Sequence, residues 1–229
     1  MTTNILNKYI QWNKWQQALF HFVLFIIVFF AIQLIIKEFF ITDHLIHEHL
    51  SENFSEASVA EKMKSYQDVT LLTILVPVAF YLLRFGIIAI FVLATTLLEN
   101  MKHSFLTIFK AVVLAEYIYI IKQTIKLIWF GFIHTDYTYK TFYDFHWDYV
   151  KGWLDISNLP VYFRVPLNTI NIFTILYFFV LAYFLKREFN KENTKPLPYS
   201  KSLNVSFKAF GTGLVLWIVF IMFIITTLN

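Results

Sequence analysis

The sequence predicts an all-α membrane protein, a bundle of five transmembrane helices with short interfacial helices in its outer loops. Three observations predict it. Of 229 residues, 58% are hydrophobic and only 15% charged, where a water-soluble domain carries about 25% charge. Four long apolar runs pass with no formal charge or one, as a lipid-crossing helix of about 20 residues requires, and a fifth carries four. The charges fall mainly in the segments between those runs, which therefore read as spans about 18–36, 69–98, 104–132, 167–185 and 209–228 of a single membrane domain, 1–229. Aromatics make up 20%, with 27 Phe, and read as lipid-facing and helix-packing bulk. Cysteine is absent, which removes thiolate metal sites, disulfides and thiol catalysis.

The lead carries Lys8 and Lys14 with Trp12 and Trp15 at the entrance of the first span, the belt position of tryptophan. Ala18–Ile36 begins like a signal peptide. Its apolar run is longer than the usual one and no small-x-small cleavage site follows, so it reads as a retained span. Residues 37–68 form a surface-helical loop, with Ile46, Leu50, Phe54 and Ala57 at helical spacing and Ser58 with Glu61 as a capping box. Asn53-Phe54-Ser55 is a glycosylation sequon that matters only in a secretory pathway.

The second span, about 45 Å as one helix, exceeds a ~30 Å bilayer core. Pro77 and Gly86 are where it is expected to bend. Thr70, Thr73, Pro77, Tyr81 and Arg84 form a stripe expected to face the bundle. After the turn Glu99–His103 the third span carries Glu116, Tyr119, Gln123 and Lys126 on one face. Antiparallel packing puts Arg84 and Glu116 at similar depth, roughly 18–21 Å from the turn-side ends at 1.5 Å per residue. A lone charge in hydrocarbon costs at least ~2.5 kcal/mol, so the two are expected to pair within the membrane. Two readings stay open: a structural ion pair that fixes packing, or part of an ion or proton pathway.

The loop 133–166 is rich in Tyr, Trp and Asp and is expected to lie on the membrane surface. Lys186–Lys208 reads as a basic connector with Pro196 and Pro198, able to touch anionic inner-leaflet lipids. With the N-terminus inside, ten Lys and Arg fall in the inner segments and six in the outer loops. That predicts a multi-pass protein of the cell (inner or plasma) membrane, N-terminus cytoplasmic and C-terminus outside.

Lys122 and Lys126, with Gln123 between them, read either as stems snorkelling to the headgroups or as a site for an anionic lipid head or solute. His44, His47 and Glu48 are weak metal candidates; their order is not the metalloprotease His-Glu-x-x-His, and no metal or cofactor is expected. Gly211-Thr212-Gly213 is expected to let a neighbouring helix approach closely. Ser-x-x-Lys, Gly-x-Ser-x-Gly, phosphate loops and paired intramembrane aspartates are absent. The chain is therefore expected to be no enzyme and to bind no nucleic acid.

Leu97-Leu98-Glu99-Asn100-Met101-Lys102-His103-Ser104-Phe105, followed by Phe109 and Ala111, resembles the Lys-containing turn that leads to Ser-Phe in the Yip-type (Ypt-interacting protein) membrane family. Asn171-Ile172-Phe173-Thr174, Ser200-Lys201 and a glycine-containing last helix are similar too. This chain has Asn100 and His103 where the family turn has glycines, and it lacks the long N-terminal region of eukaryotic members. The resemblance implies a non-enzymatic protein that organises membrane or binds protein or lipid partners. The rival expectation is a small transporter or channel subunit with a polar seam around Arg84, Glu116, Lys122 and Lys126. A continuous wet cavity along those residues favours the rival; a packed seam favours the first reading.

Overall fold

The computed structural model describes residues 12–67, 71–145, 147–149, 159–160, 163, 170–192 and 196–228. The fold is all-α: outside the helices, the described residues hold one isolated antiparallel bridge, Tyr149 with Asn171. Helix α1 spans Lys14–Ile35 and continues as a π-helical turn, Ile36–Phe40. Helices α2 (Asp43–Ser51) and α3 (Glu56–Gln67) follow. Next come α4 (Leu71–Leu98) and α5 (Phe105–Ile128), the latter ending in a second π-helical turn, Trp129–Ile133. A short α6 (Tyr139–Tyr143), then α7 (Ile172–Asn190) and α8 (Tyr199–Leu228) complete the order.

Among the described residues, three stretches are long and apolar enough to cross a membrane: Lys14–Phe40, Leu71–Leu98 and Tyr199–Thr227. Their outward faces are those of a lipid-solvated protein. On α8 alone Val215, Leu216, Trp217, Val219, Phe220 and Phe223 are each at least half exposed, an apolar surface that water would penalise. Helix α5 is the reverse case. It carries Lys110, Glu116, Lys122 and Lys126, and its buried positions include Thr107, Ile108, Ala111, Val112, Val113 and Ala115. The part of α5 from Thr107 to Glu116 is covered by its neighbours and needs no lipid-compatible surface there, so Lys110 and Glu116 can sit on it.

The chain divides into two compact units. One comprises 1–25, 82–119 and 147–229. Its centre is aromatic: Phe25 and Phe22 meet Phe85 edge-on at 5.2 and 6.1 Å between ring centroids. Tyr177 packs on Phe210 at 4.5 Å. At Gly211 and Gly213, where the sequence suggested close approach of a neighbouring helix, it is aromatic side chains of neighbouring helices that come close. A Cβ at those positions would stand 3.6 Å from Phe178 and Phe91 respectively.

The other unit comprises 26–81 and 120–146. Its core gathers Ile41, Ile46, Leu50, Val59, Phe130 and Phe142. Ile46 and Leu50 face inward as their spacing predicts, but Phe54 and Ala57 are exposed. The chain leaves the helix after Ser51, so the four-residue face is cut and Val59 of α3 takes the next core position. The cap predicted at Ser58 is displaced too: Val59 N–H donates to the Ser55 carbonyl, and Ser58 sits inside α3.

Other boundaries shift for local reasons. Helix α7 starts at Ile172, not 167, because the Asn171 side chain accepts from Thr174 N–H at 2.9 Å and caps it. It then runs through Lys186 to Asn190, while α8 begins at Tyr199 immediately after Pro198. Most of the expected basic connector is therefore helix. Residues 167–169, the start of the expected fourth span, and Thr70 lie outside the described residues. The stripe Thr73, Pro77, Tyr81, Arg84 is half-buried or exposed; the buried face of α4 is Phe85, Ala89, Val92 and Thr96, one residue further round.

The turn after α4 closes without glycine. Asn100 adopts φ 56°, Met101 N–H donates to Thr96 O at 2.8 Å and Asn100 N–H to Leu97 O at 3.1 Å. That is the Schellman pattern, and asparagine is the residue that enters it most readily after glycine. We expect Asn100→Gly to unfold at the same temperature as the native chain or higher. Asn100→Val should lose roughly 1–2 kcal/mol, the ordinary cost of a left-handed non-glycine residue, read as a lower midpoint of thermal unfolding in mild detergent.

Candidate functional site: two clusters of buried charge

The first cluster joins α4, α5 and α7. Arg84 Nη2 lies 3.2 Å from Glu116 Oε2, with side-chain exposures of 32% and 1%. The guanidinium carbon sits 5.0 Å from the Tyr119 ring centroid, a cation–π contact that Tyr119 can make because it lies three residues from Glu116 on the same face of α5. Tyr177 of α7 is fully buried, stacks 5.8 Å from Tyr119, and turns its hydroxyl toward Glu116 without closing a well-formed hydrogen bond. A buried carboxylate with so few donors depends on its cation, because desolvation costs several kcal/mol per ion.

The second cluster was not anticipated as a unit. At the start of α1, the start of α5 and the end of α7, two carboxylates are each held by several donors. Lys110 Nζ donates to Glu188 Oε2 at 2.9 Å and to Gln17 Oε1 at 2.8 Å. Lys191 Nζ reaches Glu188 Oε1 at 2.6 Å. Glu192 receives Lys14, the Thr107 hydroxyl at 2.6 Å and the His103 ring at 3.0 Å. His103 is fixed in turn by stacking 3.6 Å from Phe189. Lys110 and Glu188 are buried, at 6% and 4% side-chain exposure. Beside it, Glu99 accepts from Lys208 at 2.5 Å and Asn204 at 3.0 Å. The signal lay in Glu188 and Glu192, an i, i+4 acidic pair inside a segment dominated by its lysines.

A cavity of about 170 Å³ opens in this cluster, lined by Lys14, Gln17, Leu106, Thr107, Lys110, Glu188, Lys191 and Glu192. Two other cavities lie in the second unit. One is an open depression bordered by His44, His47, Glu48, Ser51 and Glu52; the other runs from Gln33 to Tyr143. None of the three is lined by Arg84, Glu116, Lys122, Gln123 or Lys126.

The remaining candidates are placed separately. Lys126 stands 4.2 Å over the Phe142 ring and 6.0 Å from Tyr143, so its ammonium rests on aromatic faces. Lys122 and Gln123 are half-buried. His47 Nδ1 lies 3.3 Å from Ser51 Oγ, and His49 stacks on Tyr139 at 4.7 Å. Among the described residues no three His, Asp or Glu side chains are gathered as a metal site.

By fold, the chain is of the helical membrane class: three helices of crossing length, apolar faces outward and charged side chains buried. No protein-family model, curated protein or solved structure matches it, so the Yip-type resemblance rests on the motifs in the sequence.

Two tests follow from this geometry. Arg84→Leu should destabilise the protein by about 3 kcal/mol, the usual cost of orphaning a buried partner. Arg84→Leu/Glu116→Leu should recover part of that loss, and a thermal-unfolding cycle that proves additive contradicts direct coupling. The second test concerns pH. Burial alone would raise the Glu192 carboxyl, but its bonds from Lys14, Thr107 and His103 outweigh burial and hold it below the ordinary carboxylate range. The stability it contributes is present above the unfolded value and lost as pH falls through the lower folded one. Native protein should therefore exceed Glu192→Gln in unfolding temperature at pH 7, and the gap should close in acid.

Proposed function

We propose that this chain is a non-enzymatic membrane protein of five spans that binds lipid or protein partners in the cell membrane, N-terminus cytoplasmic and C-terminus outside. The observation that carries the reading is that the buried charges of its two clusters are paired with one another. Arg84 is spent on Glu116 and Tyr119, and the carboxylates at the helix ends are each met by several donors. No cavity described above runs along the Arg84–Glu116 seam. Charges locked to each other hold helices in register; a transport path must expose them to a moving solute.

Five spans are supported by α5 and α7 themselves. At 24 and 19 residues they reach about 36 and 28 Å, enough for a ~30 Å core. The second cluster supports the topology. Contacts of Glu192 with Lys14 and His103 bring the chain start, the α4–α5 turn and the α7–α8 connector to one end of their unit. Five alternating spans require those three segments on one side. The surplus of Lys and Arg there supports a cytoplasmic assignment.

Reconstitution in sealed vesicles tests the reading. We expect no flux of protons, alkali cations or chloride above that of empty vesicles. Flux that is lost in Glu116→Gln would establish the transporter instead.

A further inference from the structure

We propose that the cavity between the starts of α1 and α5 and the end of α7 is a binding site for a zwitterionic phosphodiester bearing a primary ammonium, in the form of the headgroup of an aminophospholipid such as phosphatidylethanolamine. The inference rests on the reading of the chain as a membrane protein that binds partners rather than transporting a solute.

The site has a fixed floor and a movable rim. The floor is Lys110, Glu188, Gln17 and Thr107, with the ion pair of Lys110 and Glu188 nearly closed to solvent. The rim is Lys14 and Lys191, whose side chains are 57% and 51% exposed, with Glu192 at 17%. Long exposed stems can swing at little cost; the floor cannot. Together the lining holds three lysines against two glutamates, one positive charge in excess. That balance suits a phosphodiester, whose single negative charge Lys14 and Lys191 can share, while the carboxylates they release accept hydrogen bonds from an ammonium. A quaternary ammonium has no N–H to give them, and a headgroup with no ammonium offers them no charged donor in place of the lysines that leave. The volume, about 170 Å³, fits a headgroup and not a whole lipid.

The surroundings point to a lipid rather than to a soluble phosphodiester. The cavity lies where α1 and α5 begin and α7 ends, which on the five-span reading is the level at which headgroups sit. Trp15 is 58% exposed at the start of α1, a position typical of the membrane interface. Phe20 and Leu24 follow Gln17 by three and seven residues along α1 and are exposed, at 41% and 37%. They extend the cavity's line as an apolar track on which acyl chains can lie. A polar pocket continued by an apolar track has the amphiphilic form of a lipid.

The test is native mass spectrometry of the full chain in mild detergent, titrated with phosphatidylethanolamine, phosphatidylcholine and phosphatidylglycerol of identical acyl chains. We expect phosphatidylethanolamine to be retained at least ~10-fold more strongly than the other two. Lys14→Gln/Lys191→Gln, which leaves the Lys110–Glu188 pair and the Thr107 and His103 bonds to Glu192 in place, should still unfold cooperatively, at a somewhat lower temperature, and lose most of that preference. Equal retention of the three lipids, or a preference unchanged in the rim variant, overturns the proposal. Soluble glycerophosphoethanolamine is titrated in parallel. Displacement of the lipid only at far higher concentration supports a lipid ligand, and equal potency overturns it in favour of a soluble one. The vesicle flux assay separates the two levels of inference. Loss of lipid preference without flux removes this site alone, whereas Glu116-dependent flux removes the reading on which it rests.

Discussion

Glu116 carries the heaviest constraint in the molecule. Its side chain is 1% exposed, and Arg84 stands 3.2 Å away. Desolvating both ions costs more than most single contacts return, so the pair persists only if the backbone around it is held. Phe85, Ala89 and Val92 of α4 and Ala111, Val112, Val113 and Ala115 of α5 supply that holding, all without measurable exposure. The tight Asn100 turn forces the two helices to run in opposite directions. Local chain chemistry, helix packing and the ion pair thus each require the others.

The same arithmetic organises the helix ends. Two carboxylates there are met by three lysines, a histidine and a threonine, and Gln17 accepts from one of those lysines. In water these would be weak surface pairs worth ~1 kcal/mol or less. Burial of Lys110 and Glu188 makes them discriminating instead, because removing one partner strands the other. The cluster also ties the chain start to the α4–α5 turn and the end of α7, segments 85 to 178 residues apart. It fixes register where the apolar spans, greasy on every side, specify little.

What the sequence makes legible follows period and polarity. Lone charges in apolar runs stand out, so Arg84 and Glu116 can be picked as partners from depth alone. Segment ends are harder. The α8 start at Tyr199 is hidden because a window averaging hydropathy sees Lys201 and Lys208 as connector, while the helix itself needs only Pro198 before it. The face Ile46, Leu50, Phe54, Ala57 fails at a helix break that no proline or glycine marks. The cluster around Glu188 and Glu192 is least legible of all. Its members come from positions 14 to 192, and a positive-inside count enters each lysine as a topology signal without asking what it touches.

Counting and contact lead to different expectations for the same residues. Lys14, Lys110 and Lys191 each favour a cytoplasmic end when counted. In place, they neutralise Glu188 and Glu192 and leave one positive charge in a pocket of lipid-headgroup size. A purely topological role needs no carboxylate among the lysines and no buried floor beneath them. Glu188 is nearly closed to solvent, and a buried acid costs stability unless something recovers it. Its ion pairs recover part. The half-exposed lysines that complete those pairs are also the ones able to release them to an incoming phosphate, which is why the pocket is better understood as a site than as a clamp alone.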